Sequence, residues 1–338
     1  MNRVAIIGAG SLGTIIAARV SQNGGHCILI DANKDHVDAL NRDGATVTGK
    51  LDIKNQPVEA ITPDQMSGIY DTVIILTKQT VNQAVLTNLL PFIDENSIVC
   101  TLQNGIPEAF VASIVGRERT AGGAVGWGGG YSSPGVSELY TNPENMIIEI
   151  GNMDNDINEK LTRVEEFLKL GGGVTVNTNF LGFRWAKLLM NATFSGMSAA
   201  LGCTFGDVLD NEDALACAVH IGNELIQVAR AKGITLEEIV PGKDFYKFEQ
   251  TNPDSMPIAK DFARDVWSIH RPQKASMLQD MEKGIPCEID YINGMVSEGG
   301  KEHGIPTPYC DTVVAIVKAF QDGKRPFPTM DNLADFKF

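Results

Sequence analysis

The sequence predicts an α/β fold in which a doubly wound sheet, residues 1–178, is followed by an all-helical domain, residues 179–338. Strand patterns and helix patterns alternate from residue 3 to about residue 176, as in chains that form a parallel sheet covered by helices. From residue 179 onward the apolar residues recur at a helical period, and strand patterns are nearly absent. The length of 338 residues is enough for two domains of ordinary size.

The first strand–helix–strand segment occupies about 30 residues at the start of the chain. Residues 3–7, RVAII, are an apolar strand pattern, and the turn GAGSLG follows directly. Residues 14–24, TIIAARVSQNG, are typical of a helix that ends at a glycine. A second strand pattern, HCILID, ends at Asp31.

The later segments continue the alternation and then change to helices. Further strand patterns lie at 71–78, 97–105, within 122–130 and at 146–151, with helix patterns at 81–90, 108–116 and 158–172. The helical domain has long amphipathic stretches at 179–189, 213–233 and 307–323. We expect residues 323–338 to form a loosely docked tail.

Composition excludes several classes of function. The net charge of −14 disfavours nucleic acid and anionic membrane surfaces as partners. The chain shows no export signal and no apolar run of about 18 residues, so we expect a cytoplasmic protein that does not enter a membrane. None of the six cysteines forms a C-x-x-C pair, which favours reduced, buried thiols, and the histidine spacing gives no support for a metal site.

The turn after the first strand has the spacing G-x-G-x-x-G, at Gly8, Gly10 and Gly13. Gly8 allows the tight turn, Gly10 lets the backbone approach a pyrophosphate, and Gly13 allows close packing of helix on strand. The N–H groups at the helix start, at Ser11 and Leu12, would complete the phosphate site. Because the motif lies between a strand and a helix, the sequence predicts a Rossmann-type domain that binds a dinucleotide.

Three polar residues at strand ends are further candidates for cofactor contacts. Asp31 would accept hydrogen bonds from ribose hydroxyls and repel a 2′-phosphate, although Lys34 would offset part of the repulsion. We therefore expect NAD, with NADP possible. Ligands lie at the carboxyl ends of the strands in such sheets, so we expect Lys78 to contact phosphate or ribose and Asn104 to lie near the nicotinamide. A solvated loop residue or a helix cap is the alternative for Lys78 and Asn104.

Lys187, Asn191 and Ser195 lie at i, i+4 and i+8 in an otherwise apolar helical stretch. On an α-helix these positions share one face, with some drift because four residues exceed one turn. Apolar surroundings lower the pKa of a lysine, which suits Lys187 to donate a proton during ketone reduction. Asn191 and Ser195 are then expected to bind the substrate. A lysine that extends its amine to water is the alternative.

A second polar group follows near the end of the helical domain. Ser276 and either Gln279 or Asp280 share a helical face, and Glu288 comes after a Gly-Ile-Pro turn. A carboxylate here would orient Lys187 or contact the nicotinamide ribose, and the spacing does not distinguish the two.

These motifs together resemble those of the ketopantoate reductase family (2-dehydropantoate 2-reductases) over nearly the whole chain. The matching segments are IIGAGSLG at 6–13, a lysine at Lys78, the pair Asn104–Gly105, a glycine-rich segment at 123–139, K-L-x-x-N at 187–191 and SMLQD…EIDYING at 276–294. The resemblance implies a Rossmann domain and a helical domain like the C-terminal domain of 6-phosphogluconate dehydrogenase, with substrate in the cleft between them.

The resemblance also implies roles for individual residues. Lys187 would be the proton donor to the carbonyl oxygen, and Asn104 would bridge nicotinamide and substrate. Glu288 would lie near the cofactor and Ser276 would bind the substrate carboxylate. Gly129 stands in place of an alanine of the glycine-rich segment and would also border the cofactor.

Two departures from the family pattern bear on specificity. Ser195 replaces a second asparagine, which removes a hydrogen bond to the substrate's terminal hydroxyl and favours a more apolar side chain. Asp31 stands where members that use NADP commonly have an arginine.

The sequence therefore predicts an NAD(P)H-dependent reductase of a branched 2-oxo acid, most simply of 2-dehydropantoate to pantoate in pantothenate biosynthesis. An NAD-dependent D-2-hydroxy-acid dehydrogenase acting on other branched or aromatic 2-oxo acids is the alternative, and a non-catalytic nicotinamide sensor is a third hypothesis. We expect the enzyme to be a homodimer.

Overall fold

The computed structural model describes residues 2–336 and forms two compact units. Residues 2–103 and 107–180 make up the first unit, and residues 104–106 and 181–336 the second. Met1, Lys337 and Phe338 are outside the described residues.

The first unit contains strands with helices between them. Its strands are β1 (Val4–Ile7), β2 (Ile28–Ile30), β3 (Ala45–Gly49), β4 (Ile53–Gln56), β5 (Glu59–Ile61), β6 (Thr72–Ile75), β7 (Ile98–Thr101), β8 (Thr120–Val125), β9 (Gly129–Ser133), β10 (Val136–Leu139), β11 (Ile147–Gly151) and β12 (Gly173–Val176). Its helices are α1 (Ser11–Gln22), α2 (Lys34–Asp43), α3 (Asn82–Leu89), α4 (Glu108–Val115) and α5 (Glu159–Lys169).

The main sheet has eight strands within the described residues, in the order β12-β11-β8-β7-β6-β1-β2-β5. All adjacent pairs are parallel except β8 with β11. The chain leaves β1 towards β2 and later returns to β6 on the other side of β1, so the strand order reverses there. Such a reversal opens a crevice at the carboxyl ends of the strands.

Both faces of this sheet are buried. Ile6, Ile74 and Cys100 are aligned neighbours on β1, β6 and β7 and belong to the core on one face. Ile7 and Ile75, the next residues along, belong to the core on the other face. Side chains alternate between the faces of a strand, so a strand buried on both faces must be apolar throughout, as the sequence pattern indicated.

A second, four-stranded sheet is present that the sequence patterns did not indicate. Its order is β4-β3-β10-β9, with β3 and β10 parallel and the outer pairs antiparallel. The strands are short and come from two separate stretches, 45–56 and 129–139, so their pairing depends on contacts between distant parts of the chain. Leu139 and Val47 contribute to the core beneath it.

The second unit is helical. Its helices are α6 (Phe180–Met190, whose first residue groups with the first unit), α7 (Gly196–Leu201), α8 (Phe205–Asp210), α9 (Glu212–Ala231), α10 (Ser255–Trp267), α11 (Ser276–Glu282), α12 (Asn293–His303) and α13 (Pro308–Gln321). A π-helical turn, Asn191–Ser195, joins α6 to α7. Phe194 of this turn stacks on Trp267 with ring centroids 4.4 Å apart, in the centre of the helical core. The predicted α/β fold followed by an all-helical part is confirmed.

The C-terminal segment differs from expectation. Residues Met330–Phe336 form a short 3₁₀-helix, Asn332 donates a hydrogen bond to the Ala200 carbonyl at 2.9 Å, and Phe336 is buried. The prediction of a loosely docked tail is therefore wrong for residues 330–336, because Phe336, Met330 and Leu333 pack on the helical core. Residues 337–338 of that tail lie outside the described residues.

All six cysteines are buried, as the sequence indicated. None of the helices in the described chain is both long enough and apolar enough to cross a membrane. Among residues 2–336, no group of three His, Cys, Asp or Glu side chains is arranged to hold a metal ion.

Candidate active site

The glycine turn after β1 is shaped by close approach of the backbone. Gly8 has φ +102°, and a Cβ there would lie 2.7 Å from the backbone nitrogen of Thr77, just beyond β6. A Cβ on Gly13 would collide with the Gly8 carbonyl. Gly8 is thus required by its positive φ and by the neighbouring strand, and Gly13 by the packing of α1 on the turn.

Gly10 has a different environment. A Cβ at Gly10 would meet no atom within 4 Å, so the missing side chain leaves open space beside the start of α1. Within the described residues, no side chain caps this helix, and its first turn has no acidic residue. The N–H groups of Ser11 and Leu12 therefore face a space suited to a phosphate, which helix N-termini favour. These residues fit the pyrophosphate of a dinucleotide.

Asp31 is bound to the glycine turn itself. One carboxylate oxygen accepts from the Ala9 N–H at 2.8 Å and the other from the Asn33 N–H at 2.9 Å. His36 binds the other side of the Ala9 peptide, with Nε2 2.7 Å from the Ala9 carbonyl oxygen, while Nδ1 accepts from the Gly135 N–H at 2.9 Å. Each Asp31 oxygen retains a lone pair that can accept a hydrogen bond from a ribose hydroxyl. Asp31 can therefore stabilise the glycine turn and bind a ligand at the same time.

The ends of β6 and β7 are joined by Gln103. Its side-chain amide donates to the Thr77 carbonyl at 2.6 Å and to Asn82 Oδ1 at 2.7 Å, and its Oε1 accepts from the Thr101 hydroxyl at 2.9 Å. Gln103 is buried, so this network fixes the backbone that carries Lys78. The cofactor contacts expected of Lys78 stay a prediction.

Gly129 has a structural reason to be glycine. It lies in β9, where a Cβ would be 2.8 Å from Ile15 Cδ1 and 3.1 Å from the Glu138 carbonyl oxygen. The strand packs directly on α1 at this point. Its predicted contact with the cofactor is untested by this geometry.

Lys187 lies on the last turn of α6, one turn before the π-helical turn. The residue as a whole is partly buried, but its amine lies deep enough that desolvation lowers its pKa, and the charge of Arg184 lowers that pKa further. Within the described chain, Lys187 makes no hydrogen bond or ion pair. A buried amine without a partner favours its neutral form, which makes the protonated form a stronger acid.

Five predicted residues line one small cavity in the second unit. They are Asn104, Asn191, Ser195, Ser276 and Glu288, joined by Met277 and Ile292. Lys187 lies four residues before Asn191, which begins the π-helical turn that continues α6. The cavity therefore collects amide, hydroxyl and carboxylate groups from segments that are far apart in the sequence, although the role of each remains a prediction.

Three residues of this region carry no prediction from the sequence. Met277 and Ile292 are buried and supply the apolar part of the cavity lining. Burial lowers the pKa of His270, and the positive charge of Lys187 lowers it further. The imidazole of His270 is therefore close enough to the Lys187 amine for the two charges to interact. Met277 is adjacent to Ser276 in the sequence and could have been inferred, whereas His270 carried no local signal.

The fold and the cavity are those of a two-unit protein. An α/β unit of the type that binds dinucleotides comes first, and a helical unit with a buried lysine amine and a polar cavity follows it. Comparison with protein-family models gives the family. Residues 4–155 match the model of ketopantoate reductase PanE/ApbA, and residues 179–321 match that of ketopantoate reductase PanE/ApbA C terminal. The chain belongs to the ketopantoate reductase family.

Relatives named as 2-dehydropantoate 2-reductases match over nearly the whole chain. The 2-dehydropantoate 2-reductase of Streptococcus pyogenes serotype M18 is 27% identical over 318 residues, 94% of this chain and 97% of that protein. The 2-dehydropantoate 2-reductase of Pyrococcus horikoshii is 28% identical over 319 residues, with the same two coverages. A solved structure of D-mandelate dehydrogenase in complex with NADH is 25% identical, has a TM-score of 0.76 and covers 95% of this chain and 99% of that one.

Proposed function

We propose that the protein reduces 2-oxo acids with NADH or NADPH, with Lys187 as the proton donor. The observation that supports this most is the Lys187 amine, which is buried, has a lowered pKa and lies one turn from a cavity lined by Asn191 and Ser195. Reduction of a ketone places negative charge on its oxygen, which a positioned acid must neutralise. A lysine whose pKa is lowered towards the working pH suits that task.

The bound nicotinamide would supply the hydride. The N-terminus of α1, with the open space at Gly10, would hold the pyrophosphate, and Asp31 would bind the adenosine ribose. In the cavity, Lys187 would protonate the carbonyl oxygen of the substrate. Asn191, Ser195 and Ser276 would hydrogen-bond the substrate carboxylate and hydroxyl, and Asn104 and Glu288 would orient substrate and cofactor.

We propose 2-dehydropantoate as the first substrate to test. The two relatives described above are named for this reaction, and the resemblance extends over nearly the whole of each chain. The product would be pantoate, an intermediate of pantothenate biosynthesis. The identity of 27–28% is low enough that the side chain of the substrate needs its own test.

Reduction of other branched or aromatic 2-oxo acids is the second candidate, and two features of the cavity lining support it. Met277 and Ile292 add apolar surface, and Ser195 is shorter than the asparagine it replaces. Apolar side chains such as these discriminate weakly between substrates of similar size, and they offer no hydrogen bond to a terminal hydroxyl. Similarity to a D-mandelate dehydrogenase that binds NADH also supports this candidate.

The deciding experiment combines a substrate panel with both cofactors and one variant. Wild-type enzyme is assayed with 2-dehydropantoate, 2-oxoisovalerate and phenylglyoxylate, each with NADH and NADPH. Lys187→Ala should lower kcat roughly 10²-fold or more while the Kd of the cofactor is unchanged. Lys283→Ala, an exposed lysine in the same unit, is the matched control and should retain full activity.

The outcomes separate the hypotheses. Faster turnover of 2-oxoisovalerate than of 2-dehydropantoate would favour the second candidate. Cofactor binding without turnover of any 2-oxo acid would favour a nicotinamide sensor. Retained activity in Lys187→Ala would remove the proposed mechanism. Light scattering tests the expected homodimer, which would have twice the chain mass of 36.5 kDa.

A further inference from the structure

The helix that carries Lys187 is interrupted at the cavity. In a regular α-helix the Gly196 N–H would donate to the Ala192 carbonyl, four residues earlier. Here it donates to the Asn191 carbonyl, five residues earlier, and also approaches the Thr193 carbonyl. One extra residue is thus accommodated in this turn, which is the definition of a π-bulge, and such bulges are frequent at functional sites.

The π-helical turn changes which side chains face the cavity. Along a continuous α-helix, Ser195 would be rotated by about 80° from Lys187, because eight residues exceed two turns. With one residue accommodated in the bulge, Ser195 occupies the place of the seventh residue, about 20° from Lys187 on the other side. Ser195 and Asn191 both line the cavity in this arrangement, while Phe194 between them points into the core.

The carbonyl released by the bulge is bound by a side chain from another helix. Asn293, the first residue of α12, is completely buried, and its Nδ2 donates to the Ala192 carbonyl at 3.0 Å. Gly196 makes room for it, because a Cβ at Gly196 would lie 2.6 Å from Asn293 Oδ1. Ile292, immediately before Asn293, lines the cavity, and Glu288 does so one short turn earlier.

We propose that Asn293 is a positioning residue for the active site. By binding the Ala192 carbonyl it holds the π-helical turn, and so keeps Asn191 and Ser195 in line with Lys187. The same bond anchors the segment that carries Glu288 and Ile292 against that turn. Asn293 does not line the cavity itself, so it acts through these residues. The catalytic part of this inference rests on the proposed function.

The test uses Asn293→Leu in the full-length protein, because leucine has a similar shape and cannot donate to Ala192. We expect kcat/KM for the preferred 2-oxo acid to fall about 10- to 100-fold, mainly through kcat, with the cofactor Kd unchanged. Asn293→Leu should lower kcat/KM much less when Ser195→Ala is already present, because the effects of substitutions at coupled residues are not additive. Where Asn293→Leu does not fold, Asn293→Ser replaces it.

Ser297→Ala is the matched control. Ser297 lies one turn further along α12 and is also buried, and within the described residues its hydroxyl has no partner. We expect it to keep wild-type kcat/KM. Amide hydrogen exchange of residues 191–197 is measured alongside and should become faster in Asn293→Leu but not in Ser297→Ala.

The exchange measurement separates failure of this inference from failure of the proposed function. It reports on the π-helical turn even if the wild-type protein turns over none of the 2-oxo acids. If amide exchange of residues 191–197 is unchanged in Asn293→Leu, or is accelerated equally in Ser297→Ala, the inference that Asn293 holds the π-helical turn is overturned. Faster exchange with unchanged kcat/KM in an active enzyme would overturn the positioning role.

Discussion

At the scale of single residues, the proposed chemistry depends on how burial changes the pKa of one amine. Lys187 has no charged partner within residues 2–336, and desolvation favours its neutral form. The resulting direction of the pKa shift can be tested by the pH dependence of catalysis, because reduction needs the protonated amine whereas oxidation needs the neutral amine.

We expect kcat/KM for 2-oxo acid reduction to decline as the pH rises through the lowered pKa of Lys187, at a pH below about 10.4, the value for an unperturbed lysine. Oxidation of the corresponding 2-hydroxy acid should rise over the same range. Steady-state kinetics between pH 6 and pH 10 measures both. The Asn191→Ala variant should have a lower kcat/KM at every pH, but its kcat/KM should decline with rising pH over the same range as in the wild type. A flat profile in the wild-type enzyme would contradict the assignment of Lys187.

Asp31 has a structural role in the glycine turn and a proposed role in cofactor binding, and substitutions can separate the two. Asp31→Ala should weaken both cofactors, because the Ala9 N–H loses its acceptor, and should reduce any preference for NADH. Asp31→Asn keeps an acceptor for one N–H and removes the charge, so it should mainly improve NADPH binding. Fluorescence titration with both cofactors measures the Kd values.

Asp35→Asn is the control for charge, since Asp35 is exposed on the first turn of α2 and makes no hydrogen bond to the glycine turn. It should leave both Kd values nearly unchanged. A wild-type preference for NADPH would show that the interpretation of Asp31 is wrong.

At the scale of secondary-structure elements, helix ends are held by side chains from other helices. Glu224 of α9 is buried and accepts from the N–H groups of Tyr309 and Cys310, at 2.8 and 2.9 Å, at the start of α13. Burial raises the pKa of Glu224 from its ordinary 4.5 to about 7, although the two N–H groups oppose the shift. The helix thus depends on a carboxyl group that is costly to ionise.

This arrangement predicts a pH-dependent stability. Because the pKa of Glu224 is raised in the folded state, its stabilising contribution is full below about pH 4.5 and is lost as the pH rises through about 7. The loss is at most about 3 kcal/mol, since one pKa unit is about 1.4 kcal/mol. Glu224→Gln should lack this loss. We therefore expect the Tm of the variant minus the Tm of the wild type to be several degrees larger at pH 8 than at pH 5.

Glu298→Gln is the matched control, because Glu298 is exposed on α12 and pairs with Lys301 at the surface. It should follow the wild-type pH dependence. A Tm difference between Glu224→Gln and wild type that does not change with pH would contradict the raised pKa.

At the scale of the whole molecule, the chain forms two compact units with separate cores, and the predicted ligands are divided between them. The glycine turn belongs to the first unit, and the cavity near Lys187 belongs to the second. Hydrogen exchange can assign each ligand to its unit, because a ligand slows exchange where it binds or orders the backbone.

NADH should slow exchange in residues 8–14, at the start of α1, because its phosphates would bind the Ser11 and Leu12 N–H groups. Addition of oxamate, an unreactive analogue of a 2-oxo acid, should extend the protection to residues 187–195 and 276–292. ADP-ribose is the control and should protect residues 8–14 as well. No protection of residues 8–14 by NADH would remove the cofactor site.

The parts of the molecule that the sequence predicted are those encoded by local patterns. The glycine spacing after a buried strand specified the turn at Gly8–Gly13, because positive φ and close packing there require glycine. The apolar strands specified a sheet buried on both faces. The polar row at Lys187, Asn191 and Ser195 was visible because it interrupts an apolar helix.

Other features depend on contacts between distant parts of the chain, and only the tertiary structure decided them. The second sheet pairs short strands whose own sequences are weak signals. The π-helical turn needs the Asn293 side chain to satisfy the released Ala192 carbonyl, and no local pattern around residue 192 records that partner. Asp31 looked like a ribose ligand alone, yet it also holds the glycine turn.

The sequence by itself thus determined that strands and helices alternate before an all-helical part, where the glycine turn lies, and which polar side chains interrupt the apolar helix, because these follow from the spacing of residues along one segment. The tertiary structure decided which of those groups share a cavity and which buried carboxyl group is costly to ionise. It also decided, through the π-helical turn, which side chains after Lys187 face the cavity. Those properties arise from packing, since a hydrogen-bond partner or a desolvating neighbour can come from any part of the chain.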